Sequence, residues 1–427
     1  MLNNIENVSG RVVGNSHDDT ARLEKHEGGL QAWLAVCGSA LVFFASFGVI
    51  NSFGFFQNFY QEHYLTGYSP LTIAFIGTLQ ITLLYILSPV SGTLFDAYGL
   101  QYLYAVAALG TSGSLLALSF TQPEQIWQQF LSQGVLFGLA VAFGVQPASS
   151  LMGQHFAKRR ALAMGIVTGA SSIGGVCFPI MLSQLTPKIG FAWSLRVLAL
   201  IVLLCYVLAV CISRKKLPER KLQSYKDILD FGGYRDPRYA TLAMGALIVN
   251  FGLYTPYYYI EPYVALTQLS STLGSYLLPM LNGSSLFGRV LGGHIADKIG
   301  RLNVLYPMTL FSGVLCFALW LPAHHISQVI VFTCLYGFST GVFISLGPAA
   351  ISQISPEDRL GARMGAFSFI MAFGTLIGTP IGGAIIHDET LESYTRLIIF
   401  AGTMVTVGGI VLFVARILCD RRLSRKF

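Results

Sequence analysis

The chain carries very little charge. Asp, Glu, Lys and Arg make up 11% of its 427 residues, and 20 residues are acidic. A chain so short of ions cannot solvate its surface on every side, which excludes an ordinary water-soluble domain. It has no GxxxxGK[ST], hence no phosphate-cradling loop with which to hydrolyse nucleotide, and no HExxH or CxxC spacing. Its 8 His are scattered, and its seven Cys (37, 177, 205, 211, 316, 334 and 419) fall in or beside apolar runs. No cofactor, metal or disulfide is therefore expected, and the thiols are expected to pack. No nucleophile, base and acid can be assembled, so an enzyme is not expected. The first apolar run begins only after about thirty polar residues and has no small-residue cleavage site, which reads as a retained helix. No KDEL or SKL tail redirects the chain, so the plasma membrane is the expected location.

What the chain has instead is apolar length. Hydrophobic residues are 53% of the total, and the mean hydropathy is +0.61. Taking about 20 apolar residues as one bilayer crossing, spans fall at 33–57, 73–93, 102–121, 126–148, 161–183, 193–213, 239–265, 274–296, 304–322, 326–350, 363–386 and 396–416. The 45 Gly spread through them let helix backbones approach closely in lipid. Residues Gly92, Asp96 and Gly99 reappear 201 positions later as Gly293, Asp297 and Gly300, and Pro147 reappears as Pro348. A doubled set of spans predicts an all-α membrane protein of twelve transmembrane helices in two pseudo-symmetric six-helix bundles, rocking about its middle. The expected organisation is a tail 1–32, a first bundle 33–213, a charged connection 214–238, a second bundle 239–416 and a tail 417–427.

The basic residues orient it. Of the 27 Lys and Arg, 23 lie in the two tails and in the connections after even-numbered spans. Lys188, Arg196 and Arg396 alone lie on the other side, which by the positive-inside rule puts both termini in the cytosol. The net charge of +7 follows from that bias toward anionic lipid, with no need for nucleic acid or an obligate protein partner. Lys158, Arg159 and Arg160, where the fifth span leaves the headgroups, read as a topology anchor. The sequons at Asn7 and Asn282 fall in the cytosol and in a span, where neither is expected to carry sugar.

Three segments resemble one family. Glu27-Gly28-Gly29-Leu30-Gln31-Ala32-Trp33 is similar to an acid-Gly-Gly-aromatic lead into the first helix. The run from His155 to Gly165, with Lys158-Arg159-Arg160 at its centre, resembles the signature ahead of the fifth helix. Gly293-His294-Ile295-Ala296-Asp297-Lys298-Ile299-Gly300-Arg301 resembles the loop Gly-x-x-x-Asp-basic-x-Gly-Arg; its earlier copy, Gly92 to Gln101, keeps Gly and Asp without the basic residues. Together they resemble the major facilitator superfamily, and within it monocarboxylate-transporter-like proteins of fungal type, over essentially the whole chain from Glu27.

Physical reading and resemblance meet at Arg289. It stands eight residues before Asp297, about 12 Å up the helix at 1.5 Å per residue. A guanidinium that deep costs about 2.5 to 3.5 kcal/mol on insertion scales, so it should face the bundle interior or a wet cavity. Its fork of donors suits a carboxylate, and the resemblance places a substrate-binding Arg here. The alternative is an Arg that snorkels or pairs with an acid at the cytosolic end. Animal members have an Asp where Ser285 stands, and a Lys where a count from Gly28 lands near Asn51. Both positions are therefore site candidates, and the proton coupling of those relatives is not carried over. On the seventh span Asn250, Tyr254, Tyr257, Tyr258 and Glu261 share one helical face with Pro256 among them, and a polar stripe in lipid should look inward. Asp96, Asp297, Lys298, Arg301 and Gly293 are the expected gate residues, the two carboxylates bonding backbone donors at a neighbouring helix start or a nearby Arg. The expected cargo is a small organic anion, with protons as the possible coupling ion. The readings are a carrier of monocarboxylates or other small organic acids, an exporter of an acidic secondary metabolite, and a non-transporting nutrient sensor.

Overall fold

A computed structural model describes residues 29–214, 231–269, 273–356, 359–386 and 390–422. Glu27, Gly28, the Asn7 sequon, most of the first tail, residues 215–230 of the central connection and 423–427 of the last tail lie outside them. Every expected span is helical. In chain order the helices are α1 (Leu30–Asn51), α2 (Phe53–Phe59, running on through a π turn to Tyr64), α3 (Pro70–Tyr98), α4 (Gln101–Leu118), α5 (Ile126–His155), α6 (Arg160–Ile212) and α7 (Pro237–Leu253). They continue with α8 (Thr255–Leu266), α9 (Leu277–Ile299), α10 (Arg301–Trp320), α11 (Ile326–Ile354), α12 (Leu360–Ile385) and α13 (Leu391–Cys419). Helix is the form that satisfies backbone donors and acceptors inside lipid. Polar caps start several of these helices: Ser69 accepts from the Thr72 amide at 3.2 Å, and Asp236 from that of Arg238 at 2.9 Å. Hydrogen bonds from Arg238 hold the Asp236 carboxyl below its ordinary range.

Among the described residues, eight helices are long and apolar enough to cross a bilayer. One of these, α6, has 53 residues and breaks at Gly190, whose φ of 80° lies in the left-handed region that glycine tolerates. Its two arms are the expected fifth and sixth spans. The expected third, seventh and eighth spans, formed by α4, by α7 with α8, and by α9, are not among the eight; the seventh is divided, α7 having 17 residues and α8 12. Pro256 offers no N–H to the Gly252 carbonyl, and beside the break the Leu253 carbonyl accepts the Tyr336 hydroxyl at 2.9 Å. The first span breaks at the matching place, Ser52, whose hydroxyl donates to the Gly48 carbonyl at 2.7 Å. Discontinuous helices at equivalent positions of two repeats mark the midplane of such bundles.

Within the first half α1 packs on α6; within the second α9 packs on α11, and α7 on α13. Across the seam α3 meets α12 and α6 meets α9, a pair of contacts related by the repeat. Large apolar side chains such as Leu109, Leu200 and Phe287 are more than half exposed around the outside, a surface suited to lipid. Cys37, Cys177 and Cys211 also lie exposed, so these thiols do not pack as expected, whereas Cys205 and Cys316 are buried.

Candidate substrate site and seam latches

Arg289 projects from α9 into the seam and is 4% exposed. Its Nε donates to Ser285 Oγ at 3.2 Å, one turn back on the same helix, and its Nη1 crosses to α6, donating to the Thr168 carbonyl at 2.5 Å and to Ser171 Oγ. Nη2 makes no hydrogen bond, and no carboxylate pairs with the guanidinium among the described residues. The phenols of Tyr85 on α3 and of Tyr254 and Tyr257 beside the α7/α8 break surround its charge. All three are half-buried, Tyr85 lies against Tyr254 across the seam, and Tyr257 meets Thr340 of α11 at 3.2 Å. Asn51, at the end of α1, donates to the Ser171 carbonyl at 3.4 Å. Thus Arg289, Ser285, Asn51, Tyr254 and Tyr257 come together in the seam. Asn250 does not join them: its amide turns to the Ala246 carbonyl at 2.9 Å and to Met371 Sδ at 3.0 Å, because the break at Tyr254 interrupts the helical face assumed continuous.

At one end of the bundle the seam is closed by two latches. Asp297 accepts the amides of Ala161 at 3.0 Å and Leu162 at 2.8 Å, the orphan donors at the start of α6. Asp96 accepts the amide of Ala362 at 3.1 Å, at the start of α12. Donor and acceptor are both displaced by 201 residues, so the latches are symmetry copies that tie each half to the other. Gly293 and Gly92 allow the approach: a Cβ on Gly293 would lie 2.4 Å from the Ala161 carbonyl oxygen, and one on Gly92 2.2 Å from that of Gly361. Arg301 braces the first latch, 3.6 Å from Asp297 and donating to the Ala157 carbonyl at 2.7 Å. Lys298 points away, exposed, and takes no part. Replacing Asp297 by Ala removes acceptors from two helix-start amides and is expected to cost about 1 to 2 kcal/mol. Thermal unfolding in detergent should show the loss, and Lys298→Ala should not.

Arg160 corrects the expected anchor. Lys158 and Arg159 are exposed, but Arg160 is 7% exposed and donates to the carbonyls of Phe156 at 2.8 Å, Gly153 at 2.7 Å and Ser352 at 2.7 Å. It joins the ends of α5 and α11 across the seam instead of reaching headgroups. A cavity of about 480 Å³ beside it is lined by Lys158, Arg160, Asp297, Arg301 and Gln353. His155 is likewise buried, bonded to the Arg214 carbonyl at 2.8 Å.

Compared with known proteins, residues 36–327 and 284–427 match the family description Major Facilitator Superfamily. The chain belongs to that superfamily. It is accordingly a multi-pass membrane transporter and not an enzyme. "MFS transporter asaE" of Aspergillus flavus is 36% identical over 391 residues, covering 92% of this chain and 88% of the relative. "Aspyridones efflux protein apdF" of Emericella nidulans is 35% identical, covering 92% of this chain and 79% of its own, and "Agnestins efflux protein AgnL12" of Paecilomyces divaricatus is 35% identical, covering 91% and 88%. Among solved structures, the human organic anion transporter MFSD10 (TETRAN) superposes with a TM-score of 0.69 at 14% identity, covering 91% of this chain and 99% of its own. At that identity the likeness concerns the superfamily fold. Sequence reasoning missed Tyr85, Thr168, Ser171 and Thr340, which lie on four-residue neighbourhoods without charge or motif. The available signal was polarity at the depth of Arg289: Ser88 sits where the 201-residue repeat places the first-half counterpart of that arginine, and Tyr85 is one turn from it.

Proposed function

We propose that the protein exports an acidic secondary metabolite by alternating access, Arg289 clamping the anionic group. One observation carries this reading: a buried guanidinium whose Nη2 is unbonded, with no acid beside it among the described residues, in a ring of half-buried phenols. Such a group must find a negative partner, and the aromatic wall offers flat contact and hydroxyl donors to a larger body than a two- or three-carbon acid needs. The names of several relatives, which are efflux proteins for secondary metabolites, support the exporter over the uptake of monocarboxylates. Monocarboxylate transport is the second reading, supported by the signature from His155 to Gly165 and by the position of Arg289. In this scheme twelve crossings place both termini in the cytosol, and the latches with Asp96, Asp297, Arg301 and Gly293 close the cytosolic side of a plasma-membrane carrier. Lys158 and Arg159 anchor that side to anionic headgroups.

Reconstituted vesicles loaded with labelled lactate, benzoate and a multi-ring aromatic carboxylic acid, under several pH gradients, test the cargo class. The expected result is counterflow of the ring-bearing acids and none of lactate. Lactate moving as fast as the others would establish the second reading, and movement of neutral analogues at equal rates would sink both.

A further inference from the structure

The first arm of α6 starts at a latch and runs about 45 Å, at 1.5 Å per residue, to the break at Gly190. Arg196 therefore lies at the end opposite the latches, about 9 Å into the second arm. It is half-buried, and its guanidinium sits over two rings. The central carbon is 4.9 Å from the ring centre of Phe120, just past the end of α4, and 4.6 Å from that of Trp193 on its own arm. Its Nε donates to Ser119 Oγ at 3.3 Å, while Nη1 and Nη2 make no hydrogen bond and no carboxylate pairs with them among the described residues. Glu124, the acid in the connection after α4, is engaged elsewhere, accepting the Thr66 amide at 2.9 Å and hydroxyl at 2.8 Å. A guanidinium stacked on rings uses its flat face and leaves its edge of in-plane N–H donors open.

Phe120 belongs to a second feature as well. A cavity of about 290 Å³ between α4 and α5 is lined mainly by Ala117, Phe120, Trp127, Leu131 and Leu136. Phe120, Trp127 and Leu131 are more than half exposed, so this hollow opens on the outside of the bundle, where the chain meets lipid. Trp127 and Trp193, also more than half exposed, are of the type that settles where headgroups give way to chains. An open cationic edge and an apolar groove thus adjoin through one ring, at the depth where a lipid carries its phosphate above its chains.

We propose that Arg196 and this groove form one binding site for a phospholipid, recognised by its phosphate diester. Two phosphate oxygens accept from the Nη edge of Arg196, the geometry in which a guanidinium and a phosphate meet bidentately, and an acyl chain lies in the groove past Phe120. The charge matches, since a diester carries one negative charge and the guanidinium has no acid of its own among the described residues. The bound lipid bridges α4 and α6, which pack on each other within the first half. The site is separate from Arg289 and does not depend on the cargo.

Native mass spectrometry of the purified chain tests this. Dioleoyl phosphatidylcholine and dioleoylglycerol, alike in their chains, are offered in equal amounts in detergent, and the lipid that stays bound is read by mass. The phospholipid is expected to be retained about tenfold over the phosphate-free lipid. Arg196→Gln should erase that preference, and Arg196→Lys should keep part of it. Leu131→Trp fills the groove without touching the guanidinium and is expected to lower phospholipid retention, which keeps the test decisive if Arg196→Gln fails to fold. Inorganic phosphate and glycerophosphocholine, which lack chains, should not displace the lipid at equal concentration. Displacement by either shows a site for free anions and overturns the lipid assignment. Parent-level retention of the phospholipid by Arg196→Gln, or equal retention of dioleoylglycerol by the parent, overturns the proposal. Arg289→Ala is expected to retain the phospholipid as the parent does, so the cargo clamp and the lipid site fail separately.

Discussion

Arg289→Ala is expected to weaken binding of an anionic cargo roughly 100-fold, because two charged hydrogen bonds to a carboxylate contribute about 3 kcal/mol together. Transport at low cargo concentration should fall in proportion. The fold should survive, since the two α6 groups that accept from the guanidinium, the Thr168 carbonyl and the Ser171 hydroxyl, also bond to each other, the hydroxyl donating to the carbonyl at 2.7 Å. Arg289→Lys keeps the charge but loses the fork, and a tenfold or greater loss is expected, about 1.4 kcal/mol. Scintillation proximity binding with a labelled ring-bearing acid, beside size-exclusion profiles of the purified variants, checks both. Undiminished binding in Arg289→Ala would remove the cargo clamp from the mechanism.

The second large effect belongs to the seam. Gly293→Val is expected to hold the latch end apart, because its Cβ would lie 2.4 Å from the Ala161 carbonyl oxygen and 2.9 Å from the carbon, backbone atoms that cannot swing aside. The cost of such overpacking is about 1 to 3 kcal/mol. It falls beside Asp297, whose carboxylate needs the Ala161 and Leu162 amides in reach. Translocation should therefore fall to about a tenth or less if the closed state is disfavoured by some 1.4 kcal/mol or more, and thermal stability should drop. Gly283 on the same helix has open space around its would-be Cβ. Gly283→Ala is expected to leave both measurements unchanged, and a matching loss there would show that α9 tolerates no side chain for reasons unrelated to the latch.

The two latches show how far a repeat can be read from one sequence. Equivalence of Asp96 with Asp297 was legible in the 201-residue displacement, and so was their expected bonding to helix-start donors. Which helix each would cap was not legible, because α6 and α12 approach from the opposite half, a relation that no sequence spacing expresses. Arg160 shows the limit more sharply. Its neighbours Lys158 and Arg159 obey the rule for basic residues beside a span, and local sequence assigns all three alike. Burial of Arg160 follows from the carbonyl ends of α5 and α11 converging beside it, where a guanidinium can satisfy several acceptors. Asn250 fails for a related reason: a helical face computed at 3.6 residues per turn holds only while the helix is unbroken.

The sequence by itself determined that this protein lives in lipid, that its halves are copies, and that an arginine, Arg289, lies deep within an apolar span. The first and last of these rest on hydropathy and the cost of a charge in hydrocarbon, properties of the residues one at a time, and the second on the 201-residue displacement of Gly92, Asp96 and Gly99. Only the tertiary structure decided what surrounds that arginine. Tyr85, Thr168, Ser171 and Thr340 are separated from it by tens to hundreds of residues and carry no charge, so no local term marks them. They gather around Arg289 because α6 meets α9 across the seam, α3 brings Tyr85 against Tyr254, and α11, packed on α9 within the second half, brings Thr340 against Tyr257.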